Sequence, residues 1–447
     1  MTKTRIAGLI LATLIGSASA ARAQTQTQAQ TVTHPMAPAA PVVLGPVTSI
    51  DTLVARALAE APEVRAAWAR VDAARGNLTQ AAARANPEVM TQQRDAFDGM
   101  NRQTEIALSL PLEIGRRFGR TAVAIDQTAQ SALAANELER QVAGRVRLAA
   151  IRALAADRTV ALAQDTVESH HQWCDLLAAK VAEGAAAPIE RDMSELELRQ
   201  SRAALARLRA EATSRWVEVK AAAGLDPSTP LRFSESLEDA VAALRKTAPP
   251  FPPDAVEGRA DVAEADVAIE VAAAKEDLAR REGRLDLRLT ATYMRTKAGF
   301  MQLGMNDAGF NVPIQNSMNE FAIGATVMLP WRNRNQGMVA AAQAEKRTAE
   351  YEREARLLMA RAEAAAAEVR DRESANVLEI YTTGGLLELA GKNRDVVRQS
   401  YALGRGTRVE VIVEETRYRD VQTAYVAALL DAYEARVMWM QALGGSR

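Results

Sequence analysis

From Ile50 onward, apolar residues recur at three- and four-residue spacing through long stretches rich in Ala, Leu, Glu, Arg and Gln. That period predicts helices over 50–84, 119–182, 188–223, 258–282, 336–400 and 408–442. In the second of these, Val142, Val146, Ala149, Ala153 and Ala156 make a narrow apolar seam on an otherwise polar rod. Sustained, Ala-heavy seams suit helices packed side by side in coiled-coil fashion. Two of the segments run past about sixty residues, so each would be about 90–100 Å long at 1.5 Å per residue. A tube has a use for that length; a globule does not.

Between the helices the period changes to two. Ile106-Ala107-Leu108-Ser109-Leu110 places aliphatic residues at even positions, and Leu285-Asp286-Leu287-Arg288-Leu289-Thr290-Ala291-Thr292-Tyr293 gives Asp286, Arg288, Thr290 and Thr292 a face of their own. Phe321–Leu329 repeats the alternation, and 87–95 is a fourth, weaker segment. Strands of about nine to ten residues with one apolar and one polar face fit a membrane barrel, lipid outside and water inside. Read locally, the same pattern also fits a half-buried sheet of a soluble protein.

An internal repeat orders these elements. Leu110-Pro111-Leu112 and Leu329-Pro330-Trp331 lie 219 residues apart, while Lys180–Gly184 matches Ser400–Gly404, and Ala222–Leu225 matches Ala442–Gly445, at 220. Upstream, Ala73-Ala74-Arg75 matches Ala273-Ala274-Lys275 at 200, so the extra residues of the second copy are expected in a hairpin loop near 297–318. Each half reads helix, strand, strand, long helix, turn, helix. Four strands cannot close a barrel, and an open edge cannot sit in lipid. Several copies must therefore share one barrel; three would supply about twelve strands, a number the range of known barrels permits without requiring it.

The N-terminus bears on address. Lys3 and Arg5 precede an apolar run from Ile6 to Ile15 and then Ala21-Arg22-Ala23, the layout of a signal peptide cut after Ala23. The expected organisation is a signal peptide over 1–23, a Gln/Thr/Ala/Pro-rich flexible leader over 24–47 and a first repeat over 48–225 with strands near 87–95 and 104–111. An inter-repeat linker or equatorial segment follows over 226–257, then a second repeat over 258–445 with strands near 285–296 and 319–330. No stretch reaches the ~18 apolar residues of a membrane helix. The single cysteine, Cys174, excludes a disulfide within one chain, and none stands at the cleavage site to carry a lipid. With 55 basic against 56 acidic residues, the chain lacks the field that gathers nucleic acid.

Taken together, the chain resembles the TolC family of outer-membrane efflux proteins over nearly all of 50–445. The residues that carry the likeness are Asn86-Pro87-Glu88 entering the first strand, LSLPLEIGRRFGR (Leu108–Arg120), and LPWRNRNQG (Leu329–Gly337) at the matching place of the second repeat. Pro111-Leu112-Glu113-Ile114-Gly115 followed by basic residues is similar to the heavy-metal (CzcC- and CusC-like) branch. The resemblance implies a mainly α protein with four strands per protomer, assembled as a homotrimeric channel-tunnel. Its β-barrel would stand in outer-membrane lipid and its long α-barrel in the periplasm. It further implies docking to a periplasmic adaptor (membrane fusion) protein and an inner-membrane RND pump, and passive exit of heavy-metal cations or other small toxic solutes, drugs included.

The helix ends at Glu183–Pro188 and Leu403–Thr407 are expected to form the periplasmic tips. Gly184 and Gly404 suit left-handed C-caps, Pro188 a first helical turn, and Thr407 with Glu410 a capping box. The resemblance makes Gly184, Pro188, Gly404, Arg405 and Thr407 adaptor contacts; on their own they simply turn the chain. Asp395, Arg398, Arg408 and Glu410, with Arg405, Glu414 and Glu415 nearby, supply ion pairs for a periplasmic gate, or else plain intrahelical pairs on solvated faces. Gly384-Gly385 should weaken or bend its helix. His170 and Cys174 stand four apart on one helical face with donors for soft cations, but two ligands make a poor site, and no resident metal or cofactor is expected. Met294, Met301, Met305 and Met318 lie in or beside the long hairpin, as thioether contacts for Cu(I) or as gap-fillers. Phosphate loops, nucleophile elbows and zinc-protease motifs are missing, so an enzyme is not the expectation. The competing readings are a structural coiled-coil surface protein, which leaves the paired hairpins unexplained, and a periplasmic adaptor, which would carry one helical hairpin and a lipoyl-like domain.

Overall fold

The computed structural model describes residues 47–97, 101–247 and 253–445, all within one unit, Val42–Arg447. The expected signal peptide and all of the expected leader but Val47 lie outside the described residues. In chain order the elements are β1 (Val47–Thr48), α1 (Ile50–Glu60), α2 (Pro62–Ala82), β2 (Glu88–Asp95), β3 (Arg102–Leu112), α3 (Arg116–Ala182) and α4 (Pro188–Ala222). Then come β4 (Arg232–Phe233), α5 (Leu237–Thr247), a 3-10 turn (Pro253–Gly258), α6 (Ala260–Glu282), β5 (Asp286–Met305) and β6 (Asn311–Met328). Finally α7 (Gln336–Tyr381), α8 (Leu386–Ala402) and α9 (Arg408–Ala442) complete the chain.

Two of the expected long helices are divided, each for a local reason. Pro62 lacks the amide hydrogen that would continue the helix of 50–84, so the chain breaks at Ala61 and restarts with Pro62 in the first turn of α2. The segment 336–400 breaks at 382–385, where Gly385 sits at φ 70° and a Cβ on Gly384 would lie 2.7 Å from the Ile380 carbonyl oxygen. The glycines are thus required here, and the expected bend is a full break between α7 and α8.

At 67 residues, α3 spans about 100 Å. Along it Val142, Val146 and Ala153 are buried as the seam predicts, but so are Ala143, Ile151, Leu154 and Ala155. Burial on several sides follows from the packing, because α1, α2, α4, α5, α6 and α9 all lie against α3. The main core lies at mid-length, where Leu53 and Val54 of α1, Val241 of α5, Val219 of α4 and Leu429 and Tyr433 of α9 meet α3. The 226–257 segment joins that core through α5, and its β4 pairs in parallel with β1.

Towards the sheet the helices follow one another as α2, α3, α6 and α7; towards the other end the order is α4, α3, α9 and α8. The four main strands form one antiparallel sheet in the order β2-β3-β5-β6. The expected hairpin loop over 297–318 is a correction: β5 and β6 run on through it, paired as far as Met305 and Asn311, with a register shift between Gly299 and Leu303. Continued main-chain pairing held by one bulge accommodates the extra residues without a loop.

Candidate functional site: an outward apolar sheet and a charged helix tip

The register sorts the sheet into rows that cross all four strands. One face carries Val89, Leu108, Ala291 and Ile323 in one row and Thr91, Ile106, Tyr293 and Phe321 in the next. Towards the helices the same face continues with Leu110, Leu289 and Ala325, then Leu112, Leu287 and Val327. The opposite face carries Glu88, Ser109, Thr290 and Gly324, then Met90, Ala107, Thr292 and Ala322. Burial runs opposite to that of a soluble sheet. Ile106, Leu108, Leu110 and Tyr293 are 41–46% exposed, whereas Ala107 on the other face is 5% exposed. From Leu285 to Tyr293 the apolar face is about 20 Å tall, taking ~3.3 Å per residue and a tilt of ~40°, close to the ~25 Å lipid-facing band of membrane barrels. Tyr293 and Phe321 lie at one end of that band and exposed Trp331 at the other, where interfacial aromatics belong. Across the other face, Arg288 donates to Glu88 at 2.8 Å.

All helices attach at one end of the sheet, and the helix ends expected as tips close with matched geometry. Gly184 (φ 74°) donates to the Val181 carbonyl and Ala185 to that of Lys180; Gly404 (φ 72°) donates to Tyr401 and Arg405 to Ser400. Both are Schellman caps, in which only glycine enters the left-handed region at no steric cost. Pro188 occupies the first turn of α4, and Thr407 forms the full capping box with Glu410 at α9.

Just inside the tips lies a polar cluster. The carboxylate of Glu415 is 6% exposed and accepts from Arg398 Nε at 2.8 Å and from Trp173 Nε1 at 3.4 Å. Arg398 Nη2 also reaches Ser169 Oγ at 3.3 Å, so α8, α9 and α3 are tied through one guanidinium. A cavity of about 190 Å³ beside it is lined by His170, Trp173, Glu197, Arg408, Glu415 and Arg419 among others. The four expected gate residues do not form one group: Arg408 meets Glu197 at 3.9 Å, Asp395 is held by neighbouring Arg394, and Glu410 by the cap of its own helix. Trp173, Ser169 and Glu197 carried no signal in the sequence, because each joins its partner across a large sequence separation.

His170 and Cys174 do share a stretch of α3, but His170 Nε2 lies 3.3 Å from Arg419 Nη1 and its Nδ1 lies 3.3 Å from the Glu197 carbonyl oxygen. A cation beside the ring repels a metal ion. Among the described residues, no group of three His, Cys, Asp or Glu is placed to hold one. Met294 and Met318 lie on the face opposite Tyr293, Met294 level with Glu105 and Glu320 and Met318 one row further out, level with Thr296. Among the described residues no helix is long and apolar enough to cross a membrane.

Solved structures with the same fold include CusC, in crystal structures concerned with folding and transmembrane channel formation: 17% identity, TM-score 0.73, covering 89% of this chain and 92% of that one. The open state of the MtrE outer membrane channel of Neisseria gonorrhoeae matches at 15% identity and TM-score 0.71, with 89% of each chain covered. The outer membrane protein VceC of Vibrio cholerae matches at 17% and 0.68, over 89% of this chain and 96% of that one. The fold is therefore that of the TolC-like outer-membrane channels. Residues 53–225 match the model of the family described as outer membrane efflux protein. No curated protein matches by sequence.

Proposed function

We propose that the chain is one protomer of a homotrimeric outer-membrane efflux duct that gives solute a water-lined path and performs no chemistry. The observation that carries this reading is the sheet: an exposed apolar face, an opposite face of mostly small and polar residues, and two edges, β2 and β6, that pair with no further strand among the described residues. Lipid removes the cost of the apolar face, and only strands from other copies can remove the cost of the edges. The helices make the same demand. Chains of neighbours that end on α2 and α7 at one level, and on α4 and α8 at the other, leave edges that a second copy closes in the same rotational sense. Ile189, Met193 and Leu196 of α4, Leu389 and Val396 of α8 and Leu403 just past its end are large and exposed.

Within this reading the Gly184–Pro188 and Gly404–Thr407 turns meet a periplasmic adaptor, and an inner-membrane RND pump supplies the energy. The mouth is held through Arg398 and Arg408, whose partners stand on other helices; Asp395 and Glu410 serve their own helices. The cargo class follows from the Pro111–Gly115 motif and is heavy-metal cations. Deleting the gene and measuring growth against divalent and monovalent metal salts and against hydrophobic drugs tests both parts. Loss of metal tolerance is expected. Loss of drug tolerance alone would redirect the cargo, and unchanged tolerance to everything would favour a structural role.

A further inference from the structure

Immediately beyond the Tyr293–Phe321 row, on the same outward face, the sheet turns basic. The next row is Gln93, Thr104, Arg295 and Asn319; the one after it is Asp95, Arg102, Lys297 and Ser317. Arg295 and Lys297 are exposed, and no partner for either is found among the described residues; Arg102 is paired only with Asp95, at 2.8 Å. Arg102 and Lys297 stand directly opposite each other across β3 and β5. Like charges so placed repel. One carboxylate against three cations leaves an excess of two positive charges on this patch. The acids of the same level, Glu105 and Glu320, register with Met294 on the opposite face and cannot neutralise it. Nor does the chain resume a basic character further out, since no Lys or Arg occurs between Lys297 and Arg332.

We propose that Arg102, Arg295 and Lys297 form a site on the outside of the sheet for the phosphate groups of a phosphorylated glycolipid of the lipid A class, in the outer leaflet. Depth and charge agree. The patch lies one to two residues past the aromatic row that marks the end of the apolar band, at the hairpin end of the strands, away from the helices. Headgroup phosphates stand at that depth, and a cation there gains from an anionic surface. Thr104, Gln93, Asn319 and Ser317 add hydroxyl and amide donors in the same rows. Arginine grips a phosphate bidentately, while lysine serves as a point charge. The inference rests on the barrel reading above, and its test separates the two.

The full-length protein, extracted from membranes in a mild detergent, is exposed to bis-phosphorylated lipid A, to dephosphorylated lipid A and to inorganic phosphate, and bound lipid is counted by native mass spectrometry. The wild type is expected to retain the phosphorylated lipid at least about tenfold more than the dephosphorylated form, at ~1 kcal/mol per cation. Arg295→Ser with Lys297→Ser removes that preference, and Arg295→Lys, which keeps the charge, preserves most of it, so loss of charge is distinguished from loss of folding. Equal retention of the two lipids by wild type overturns the proposal, as does inorganic phosphate displacing the lipid completely, which would make the patch a general anion site. A wild-type chain absent from the membrane fraction overturns the barrel reading and this inference with it.

Discussion

Replacing Arg398 with alanine removes the guanidinium that joins three helices at the tip. Glu415, 6% exposed, keeps only the 3.4 Å indole donor of Trp173. Stripping the partner from a fully buried carboxylate costs about 3–5 kcal/mol, whereas a fully exposed pair is worth at most about 1 kcal/mol. Arg398 is 43% exposed, so the tie lies between these limits, and about 2 kcal/mol is a fair figure. A change of that size shifts a two-state closed-to-open ratio about thirtyfold. Single-channel recording of the purified protein in planar bilayers reads that ratio as the fraction of time closed. Arg398→Ala should lower it strongly. Glu415→Gln, which keeps one acceptor, should lower it less. The double variant should resemble Arg398→Ala rather than the sum of the two, because both changes remove one interaction. Unchanged gating in an intact assembly, or strict additivity, would refute the idea that this tie holds the mouth.

The two faces of the sheet should differ sharply in their tolerance of charge. Ile323→Lys, in a lipid-facing row, is expected to cost about 2–4 kcal/mol in urea unfolding from liposomes, and Thr292→Lys, on the other face, under about 1 kcal/mol; equal costs would deny the face assignment. Arg259 donates to Asp261 at 2.9 and 3.0 Å, to Glu363 at 3.0 Å and to the Ala442 carbonyl at 3.2 Å, and is almost fully buried. Arg259→Ala should therefore destabilise the chain by about 3–5 kcal/mol in chemical denaturation. Burial raises the Asp261 pKa, but the hydrogen bonds and charge of Arg259 outweigh it and leave the carboxyl below its usual range. Its contribution is accordingly full above the ordinary carboxylate pKa and lost only as pH falls through the lower folded value. Asp261→Asn should flatten the stability–pH curve in that acid window and change little in its shape near neutrality. Gly384→Ala should push the new methyl against the Ile380 carbonyl oxygen and lower the thermal midpoint, while Gly391→Ala, whose Cβ has the Tyr418 ring at an ordinary 3.5 Å, should leave it nearly unchanged.

The elements that one local rule decides were legible from residues alone. The apolar period placed α3 and α9, the alternation of Leu285–Tyr293 placed the central strand, and the glycines at 184 and 404 marked helix ends that close in the same way. What escaped was set by contacts far apart in sequence. Residues 298–316 are Gly, Gln, Asn, Met and other types without alternation, with Asp307 the one charge, so nothing local distinguishes a loop from strands that pair to their tips. Burial of α3 on several sides blurred its seam, because six helices pack on it and no single stripe faces a core. At the tip, Arg398 was legible as a charge near charges. Its actual partner was chosen by the burial of Glu415 against Trp173, which joins positions 242 residues apart.

A water-filled duct requires that the edges of β2 and β6 be closed by other copies, so the mass of the detergent-extracted protein bears most directly on it. Native mass spectrometry should find three chains, each 48.2 kDa less any leader removed, in one particle. A single chain that stays dispersed in buffer without detergent would contradict the account.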